Sequence, residues 1–540
     1  MPYMMARSGF HLIVFWLCLT GSLLAQPAAP FARYIGSPGN YPPEYRIQSG
    51  LDGYFLLHNF VDSTLFVPQL SKVRNNGAAE WSRDIALSGV VSPRARLLLA
   101  DTTGMLMTGT LQHNGYKTFV TRLDTSGGLL SNLVVDFGGY NEPFVLRRSR
   151  ASCLIAGYRD FPDGLGRFTF DMTMLRLDSN DQVVRASASG NDSTDFTLTA
   201  AAILRDGRTV SVGEVGNRAM ARFQSQLAWW SDRDSLLRML QVDDGSFYTR
   251  LRPVEIIPSG DSALFVAASG STIAGNEHEV VVFKLDTAGQ MIWSRRYYQI
   301  AYDLEVRTMA TDRFGRICLT GNCYRTVNDN GTFLLRLDQD GNVLDGALFK
   351  APVFTFGGNA TTDLLIEQDG SWTYPVYYYA ANLYTPALVH TDTSLLSVCA
   401  DLNEPFIFAT AGANLALFPA TLPIQEFLSV TPDTLGISFS NRSVHEGDLC
   451  LAVTIENDSY TNGAVIKVYP NPASDRVFLS GLSGDLELSI LDVSGRAVYS
   501  THQIRYEEGD PIRLPELTPG LYLLRVRHEE GSYIHRLLIR

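Results

Sequence analysis

An internal repeat of about 50 residues is the sequence feature that most constrains the fold. Each copy contains an apolar strand, an Asp-x-x-Gly turn and a second strand, and the clearest copies are residues 282–293 and 334–344. Aligning the turns places seven copies, with their turn positions at residues 77, 127, 181, 227, 289, 341 and 395. A unit of this size buries its hydrophobic face only by stacking on a neighbour, so the copies are expected to pack side by side.

A second pattern precedes the copies, namely a tight turn followed by an apolar strand that ends in a small residue. It occurs at residues 104–109, 206–213 and 312–321. Four strands in roughly 50 residues, repeated seven times, are typical of a β-propeller. The sequence therefore predicts an all-β chain with a seven-bladed β-propeller over residues 30–400. In a closed ring, strands around residues 34–57 would complete the sheet that ends near residues 388–398.

The repeated Asp and Gly residues have a structural and a functional interpretation. At the first position of a hairpin turn a carboxylate accepts backbone N–H groups, and Gly adopts positive φ without strain. Residues 338–342 also resemble a calcium loop in composition, but Gly stands at the fourth place rather than the sixth. The structural interpretation is favoured, and no metal or cofactor is predicted.

The last 78 or so residues have a different pattern of short alternating strands separated by turn formers. Residues 476–479, 486–490 and 522–526 alternate apolar and polar side chains, which predicts a small antiparallel β-sandwich. Three motifs occur in order along this tail, and their residues are Pro470, Asn471 and Pro472, then Asp492, Gly495 and Arg496, then Pro519, Gly520 and Tyr522.

With these motifs the tail resembles the C-terminal type A sorting domain of the type IX secretion system of Bacteroidota. The resemblance implies that residues 463–540 are a sorting domain recognised by the type IX secretion machinery. It also implies that the three motifs carry the sorting signal. The whole arrangement is similar to that of secreted Bacteroidota propellers with such a tail, and the product is expected to be secreted or attached to the outer-membrane surface.

The first 25 residues agree with export. Arg7 precedes an apolar run that continues to Leu24 and meets Ala25. A basic start, a short apolar core and a small-residue exit predict a signal peptide over residues 1–25, which delivers the chain to the periplasm. No later stretch reaches the roughly 18 apolar residues of a membrane span, so no transmembrane segment is predicted.

Composition limits the partners of the exported chain. Hydrophobic residues make up 45% and charged residues 19% of the sequence, which is typical of an ordered globular protein. The formal net charge is −12, and no basic run is longer than two residues. Nucleic acid requires a concentrated positive surface, so it is excluded as a partner.

The cysteines suggest disulfides in an oxidising compartment. Removing Cys18 with the signal peptide leaves five of the six. Cys399 and Cys450 bracket a segment without repeats and are predicted to be joined. Cys318 and Cys323, placed around a predicted turn, form the second expected pair. Cys153 is then expected to be a buried free thiol.

Residues 401–462 lose the repeat but keep strand-like stretches. They are predicted to be a β-rich appendage that leaves the ring, with a linker near residues 457–463. The expected organisation is thus a signal peptide over 1–25, the propeller over 30–400, this appendage and linker over 401–462, and the sorting domain over 463–540.

Neither a phosphate loop, a zinc helix nor a nucleophile elbow occurs in the sequence. Trp372, Tyr374 and Tyr378 would share one strand face and could contact a glycan or protein ligand; packing between blades is the alternative. The preferred function is a non-catalytic binding scaffold, and the alternative is a polysaccharide hydrolase or lyase. A deep axial pocket with carboxylates would favour the enzyme, whereas a shallow aromatic face would favour binding.

Overall fold

The structure is a computed structural model. It describes residues 30–35, 45–50, 52–62, 65–87, 90–112, 115–149, 152–162, 168–191, 194–217, 222–244, 247–260, 262–272, 278–326, 329–350, 363–380, 383–399, 403–420, 422–428, 436–442, 446–448, 467–469, 473–480, 483–491, 497–507, 509–518, 520–528 and 531–539. The predicted signal peptide lies outside these residues.

The strands of the repeat region are, in chain order, β1 (Phe31–Ile35), β2 (Tyr45–Ser49), β3 (Gly53–Asp62), β4 (Leu65–Arg74), β5 (Ala79–Leu87), β6 (Val91–Asp101), β7 (Gly104–Gln112), β8 (Tyr116–Leu123), β9 (Leu129–Val135), β10 (Tyr140–Arg148), β11 (Ser152–Pro162), β12 (Phe168–Asp178), β13 (Val183–Gly190), β14 (Asp195–Phe196), β15 (Ala200–Ile203), β16 (Thr209–Asn217), β17 (Arg222–Trp230), β18 (Leu236–Asp243), β19 (Tyr248–Ser259), β20 (Ala263–Thr272), β21 (His278–Asp286), β22 (Met291–Tyr298), β23 (Asp303–Thr311), β24 (Ile317–Thr326), β25 (Asp329–Leu337), β26 (Val343–Phe349), β27 (Leu365–Ile366), β28 (Trp372–Ala380) and β29 (Leu383–His390).

The strands that follow the repeats are β30 (Asn403–Pro405), β31 (Ala409–Gly412), β32 (Ala416–Pro419), β33 (Ile424–Leu428), β34 (Ile437–Asn441) and β35 (Glu446–Asp448). Those of the tail are β36 (Lys467–Tyr469), β37 (Arg476–Ser480), β38 (Gly484–Leu491), β39 (Ala497–Tyr506), β40 (Ile512–Arg513), β41 (Gly520–His528) and β42 (Gly531–Ile539).

The repeats form seven antiparallel sheets, numbered here by their order along the chain. The first contains β2–β5, the second β6–β9, the third β10–β13, the fourth β14–β18, the fifth β19–β22, the sixth β23–β26, and the seventh β27–β29 with β1. Consecutive sheets contact one another, and β2 of the first sheet contacts β27 and β28 of the seventh, so the series closes on itself. The predicted all-β propeller fold is confirmed.

The N-terminal strand closes the ring, as expected, but the closing segment is shorter than predicted. β1 pairs with β29, with Phe31 opposite His390 and Tyr34 opposite Ala387. Strands β2 and β3, which fall within the predicted closing segment, belong to the first sheet instead. The closing segment is short because β27, β28 and β29 already supply three strands of the seventh sheet, so only one further strand, β1, is needed.

The turn that follows the third strand of each sheet, counted from the ring axis, has the same backbone conformation in all seven described sheets; in the seventh sheet this turn follows β29 and does not lead into the fourth strand, β1. The fourth turn residue has positive φ in each, and these residues are Gly77, Gly127, Asp181, Asp234, Gly289, Gly341 and Leu395. The predicted position 227 was wrong, because that residue lies inside β17. The fourth-sheet turn lacks both signature residues: Ser231 replaces the Asp, its Oγ accepting N–H bonds from Arg233 and Ser235 at 3.2 and 3.0 Å.

The repeated Asp side chains hold these turns together. In the second sheet the Asp124 carboxylate accepts backbone N–H groups of Ser126 and Gly128, both at 2.8 Å. The hydroxyl of Ser126 adds a bond of 2.6 Å, and these hydrogen bonds lower the pKa of the Asp124 carboxyl. Asp338 accepts N–H groups of Asp340 and Asn342 in the same way. These carboxylates therefore have the structural role that the turn chemistry favoured.

Residues 403–448 form a belt around the ring, which corrects the prediction that this segment leaves it. Strands β30, β31, β32 and β33 pair with the outer strands of the sixth, fifth, fourth and third sheets. Strands β34 and β35 then pair with the outer strands of the first and seventh sheets. Residues 429–435, between β33 and β34, lie outside the described residues. The segment needs no core of its own because each short strand uses an existing sheet edge.

The tail forms two small sheets over one core. β36, β37 and β40 make the first sheet, and β38, β39, β41 and β42 make the second. Val477, Leu488 and Val526 are among the buried residues between them. The hydroxyl of Tyr506 in β39 donates to the Leu479 carbonyl of β37 at 2.7 Å and joins the two sheets. The predicted small sandwich is therefore present.

The cysteines follow the predictions only in part. Cys153 is a buried free thiol, as expected. Cys318 and Cys323 are also free, so the predicted bridge between them was wrong. Both lie in β24, where residues five apart point to opposite faces and are separated by about 16 Å. Cys450 lies outside the described residues, and the Cys399–Cys450 bridge stays a prediction.

Candidate functional site

A cavity of about 390 Å³ lies on the axis of the ring, where the innermost strands converge. Each of the seven sheets contributes to its wall; representative residues are Gln48, Leu98, Phe144, Thr199, Pro253 and Val306, together with Asp363 just before β27. A cavity of this size falls at the small end of ligand pockets in proteins. It is therefore a concave site to which every sheet of the ring contributes.

Bulges in the innermost strands direct side chains into this cavity. The strand register shifts around Arg96 in β6, Phe144 in β10, Val254 in β19 and Arg307 in β23. All four of these residues line the cavity. A β-bulge re-aims the side chain of its extra residue, and bulges are common beside functional sites.

Glycines on the second strand make room for several of these bulges. A Cβ atom on Gly321 would lie 2.1 Å from the carbonyl oxygen of Glu305, and one on Gly109 would lie 2.1 Å from that of Arg94. Both glycines are the small residues that end the apolar strand in the second sequence pattern. That pattern therefore encodes the shape of the axial cavity, which sequence reasoning did not recognise.

The cavity wall carries more positive than negative side chains. Six arginines line it, namely Arg46, Arg96, Arg147, Arg148, Arg252 and Arg307. The lining carboxylates are Glu255, Glu305 and Asp363. The wall thus has a formal excess of three positive charges, in a chain whose formal net charge is −12.

Two of the carboxylates are ion-paired. Glu255 accepts from Arg147 at 2.7 Å, a contact that joins the fifth sheet to the third. Glu305 accepts from Arg307 at 2.5 Å within β23. Arg96 is in turn paired with the buried Glu142. Among the described residues, no three His, Cys, Asp or Glu side chains come together as a metal ion would require.

Asp363 is a carboxylate of the cavity wall that accepts two backbone N–H groups. Its Oδ2 accepts the N–H of Ile47 at 3.0 Å, and its Oδ1 accepts that of Leu364 at 3.0 Å. Burial raises the pKa of the Asp363 carboxyl, while nearby Arg46 and the two N–H groups act in the opposite direction. Asp363 could therefore carry a proton at a higher pH than an ordinary aspartate does.

Two arginines keep hydrogen-bonding capacity for a ligand. The guanidinium of the exposed Arg252 makes no ion pair or hydrogen bond with any residue in the described ranges. The Nε atom of Arg307 is buried and lacks an acceptor among those residues. Buried donors without partners are uncommon in native proteins and call for an explanation. These arginines were missed at the sequence level because they occur singly, in strands far apart along the chain.

Two of the three aromatic residues predicted to face a ligand, Trp372 and Tyr374, are not exposed. Trp372 and Tyr374 are fully buried in the core between the seventh sheet and its neighbours. Phe349 of the sixth sheet packs edge-on against Tyr374, with ring centroids 6.3 Å apart. The side chain of Tyr378 is outside the description. Large residues filling the gap between sheets, the alternative considered for this cluster, account for Trp372 and Tyr374.

In the tail, part of the predicted sorting signal is described. Gly520 begins β41, and the buried Tyr522 donates its hydroxyl hydrogen to the carbonyl of Thr518 at 3.0 Å. The remaining motif residues lie outside the described residues; they are Pro470, Asn471, Pro472, Asp492, Gly495, Arg496 and Pro519. Tyr522 therefore connects β41 to Thr518.

Comparison with known protein families bears on this tail. Residues 467–540 match the family model described as a secretion system C-terminal sorting domain. The tail is similar to this family of sorting domains. The match indicates export by the type IX secretion system, to the medium or the cell surface, and implies contact between the sorting domain and that machinery.

Other comparisons are less informative about the propeller. No curated protein matches the chain. A sialidase from Trypanosoma rangeli in complex with sialic acid is similar at a TM-score of 0.29 and 7% identity, covering 91% of this chain and 83% of the other. A mutant of that sialidase displaying trans-sialidase activity gives 0.31 and 7%, covering 92% and 83%. These TM-scores carry no argument about activity.

In the part of the chain that the structure describes, no helix has the length and apolar character needed to span a membrane.

Proposed function

We propose that this chain is a Bacteroidota protein that the type IX system exports, and that its seven-bladed propeller is a non-catalytic binding module. We keep as part of this proposal the domain limits inferred from the sequence: signal peptide 1–25, propeller 30–400, sorting domain 463–540. Residues 401–462 contain the belt, which belongs with the propeller. The ligand would be a glycan or protein group that reaches the axial cavity.

The observation that supports binding is the state of the charged groups in the cavity. Glu255 and Glu305 are held by arginines, and Asp363 accepts two backbone N–H groups. A general base or nucleophile needs a carboxylate that is available to the substrate. Here it is arginine donors that remain available, which suits recognition of a ligand.

The second candidate is a polysaccharide hydrolase or lyase. It is favoured by the presence of three carboxylates in a deep axial cavity and by the raised pKa of the Asp363 carboxyl, which suits a proton donor. A screen of the full-length protein against neutral and acidic polysaccharides separates the two functions. The binding proposal expects no new reducing or unsaturated ends. Turnover that is lost in Asp363→Asn would overturn that proposal.

Export is tested separately by deleting residues 463–540. The two-sheet tail has its own core, so its removal is expected to leave a folded propeller that stays in the periplasm. The measurement is the distribution of the protein between periplasm and medium. Truncated protein in the medium at the normal level would contradict the assignment.

A further inference from the structure

We propose that the ligand of the axial cavity carries an oxyanion, either carboxylate, sulfate or phosphate, on a compact organic body. This inference rests on the proposed binding function and specifies its ligand class. It is drawn from the charge, the available donors and the apolar part of the cavity wall.

The charge distribution is the first support. Six arginines from five different sheets point toward one axis, whereas the chain as a whole is acidic. Concentrating cations in a narrow, low-dielectric cleft focuses the electric field there and raises the local concentration of anions. Four of the six are paired with a carboxylate, namely Arg96, Arg147, Arg148 and Arg307, whereas Arg252 has no ion-pair partner among the described residues. Arg252 is therefore the cation of the wall that an anionic ligand would neutralise.

The available donors are the second support. The guanidinium of Arg252 has all of its N–H groups free of partners among the described residues, and Arg307 retains an unused buried Nε–H. The planar fork of a guanidinium matches the two oxygens of a carboxylate, sulfate or phosphate group. An oxyanion between these arginines would receive charge-assisted hydrogen bonds and satisfy the buried donor.

The apolar wall is the third support and indicates more than a bare ion. Phe144, Pro253 and Val254 line the same cavity as the arginines. With about 390 Å³ available, there is space for a sugar-sized body beside the anionic group. The cavity is therefore suited to the charged end unit of a larger molecule, or to a small organic anion.

Isothermal titration calorimetry on the full-length protein tests this inference. The probes are glucuronate, glucose, inorganic sulfate and inorganic phosphate. Glucuronate is expected to bind, glucose to bind at least about tenfold more weakly, and added salt to weaken the binding of glucuronate. Sulfate or phosphate is expected to compete with glucuronate, but with lower affinity because neither has an organic body.

Two variants and a control assign the binding to the cavity. Arg252→Gln is expected to weaken glucuronate about tenfold or more, and Arg307→Lys, which keeps the charge but loses the fork, to weaken it to a smaller extent. Arg313→Gln is the control, because Arg313 is exposed and its guanidinium stacks on Phe314 away from the cavity. Equal affinities for glucose and glucuronate, or no change in Arg252→Gln, would overturn the inference. Failure of the proposed binding function would be detected in a different experiment, namely as turnover of a substrate in the polysaccharide screen.

Discussion

Arg176 of the third sheet forms a bidentate ion pair with Asp234, the fourth residue of the turn between β17 and β18. Its Nε lies 2.8 Å from Oδ2 and its Nη2 lies 2.5 Å from Oδ1. Asp234 has a φ of 57°, in the left-handed region where most sheets of this ring have Gly. Arg122 and Asp181 form the same pair between the second and third sheets, at 3.2 Å. In the two sheets whose turn has Asp in place of Gly, an ion pair to the preceding sheet therefore holds the carboxylate in place.

Asp234→Gly tests this pair. Gly relieves the backbone strain, worth about 1 kcal/mol, but the buried guanidinium of Arg176 loses its carboxylate, which costs roughly 3–5 kcal/mol. The free energy of unfolding, measured in urea, is therefore expected to fall by about 2–4 kcal/mol. The double variant Arg176→Met with Asp234→Gly should recover much of the loss. An equal loss in both variants would show that the pair itself does not matter.

Gly321→Ala tests the bulge beside the cavity. The added Cβ would lie 2.1 Å from the backbone carbonyl of Glu305, so β23 must move and the variant is expected to lose about 2 kcal/mol or more. Gly412→Ala is the control, because its Cβ would meet only the Asn414 side chain, at 3.6 Å. Thermal unfolding of both variants measures the difference. Similar melting temperatures would refute the close approach of the two strands.

His58 predicts a component of acid sensitivity. Its ring is fully buried in the first sheet, near Arg442, and burial lowers the pKa of His58 to about 3. The unfolded chain, with a His pKa of about 6.5, binds the proton more readily, so stability falls as the pH drops from about 6.5 toward 3. His58→Leu is expected to remove a slope of about 1.4 kcal/mol per pH unit in this range. An unchanged slope in urea unfolding from pH 7 to 4 would contradict the prediction.

The belt predicts a difference between two truncations. A chain ending at residue 462 keeps β30–β35 and should be folded and monomeric. A chain ending at residue 400 leaves the outer edges of six sheets uncovered and loses the Arg442–Asp84 pair of 2.7 Å. Exposed sheet edges promote aggregation, so this shorter chain is expected to form oligomers in size-exclusion chromatography. If both truncated chains were monomeric, the belt would have only a minor role in preventing association through the sheet edges.

The free thiols predict slow chemical labelling. Burial raises the pKa of Cys153 to about 12 and that of Cys318 to about 12, and Cys323 is also fully buried. A thiol-reactive dye at pH 8 is expected to label none of the three in the folded protein and all three in guanidinium. Rapid labelling of the native protein would show that these strands open readily.

Much of the architecture could be predicted because it depends on local signals. Alternating strands and Asp-x-x-Gly turns recur at a nearly constant spacing, and every Asp of that pattern serves its own turn through short-range hydrogen bonds. The fourth turn was misplaced for a related reason: Ser231 and Asp234 perform the same tasks with different side chains. Asp234 is held by Arg176, 58 residues away along the chain.

The sequence by itself determined the all-β class, the repeat and the sorting tail, since strand alternation, turn chemistry and motif order are properties of neighbouring residues. Only the tertiary structure decided the rest. The six cavity arginines lie in five strands from five different sheets and converge because the ring brings the innermost strands together. The belt was unpredictable because its short strands are stabilised by the edges of sheets formed by residues 31–349, and not by any pattern of their own.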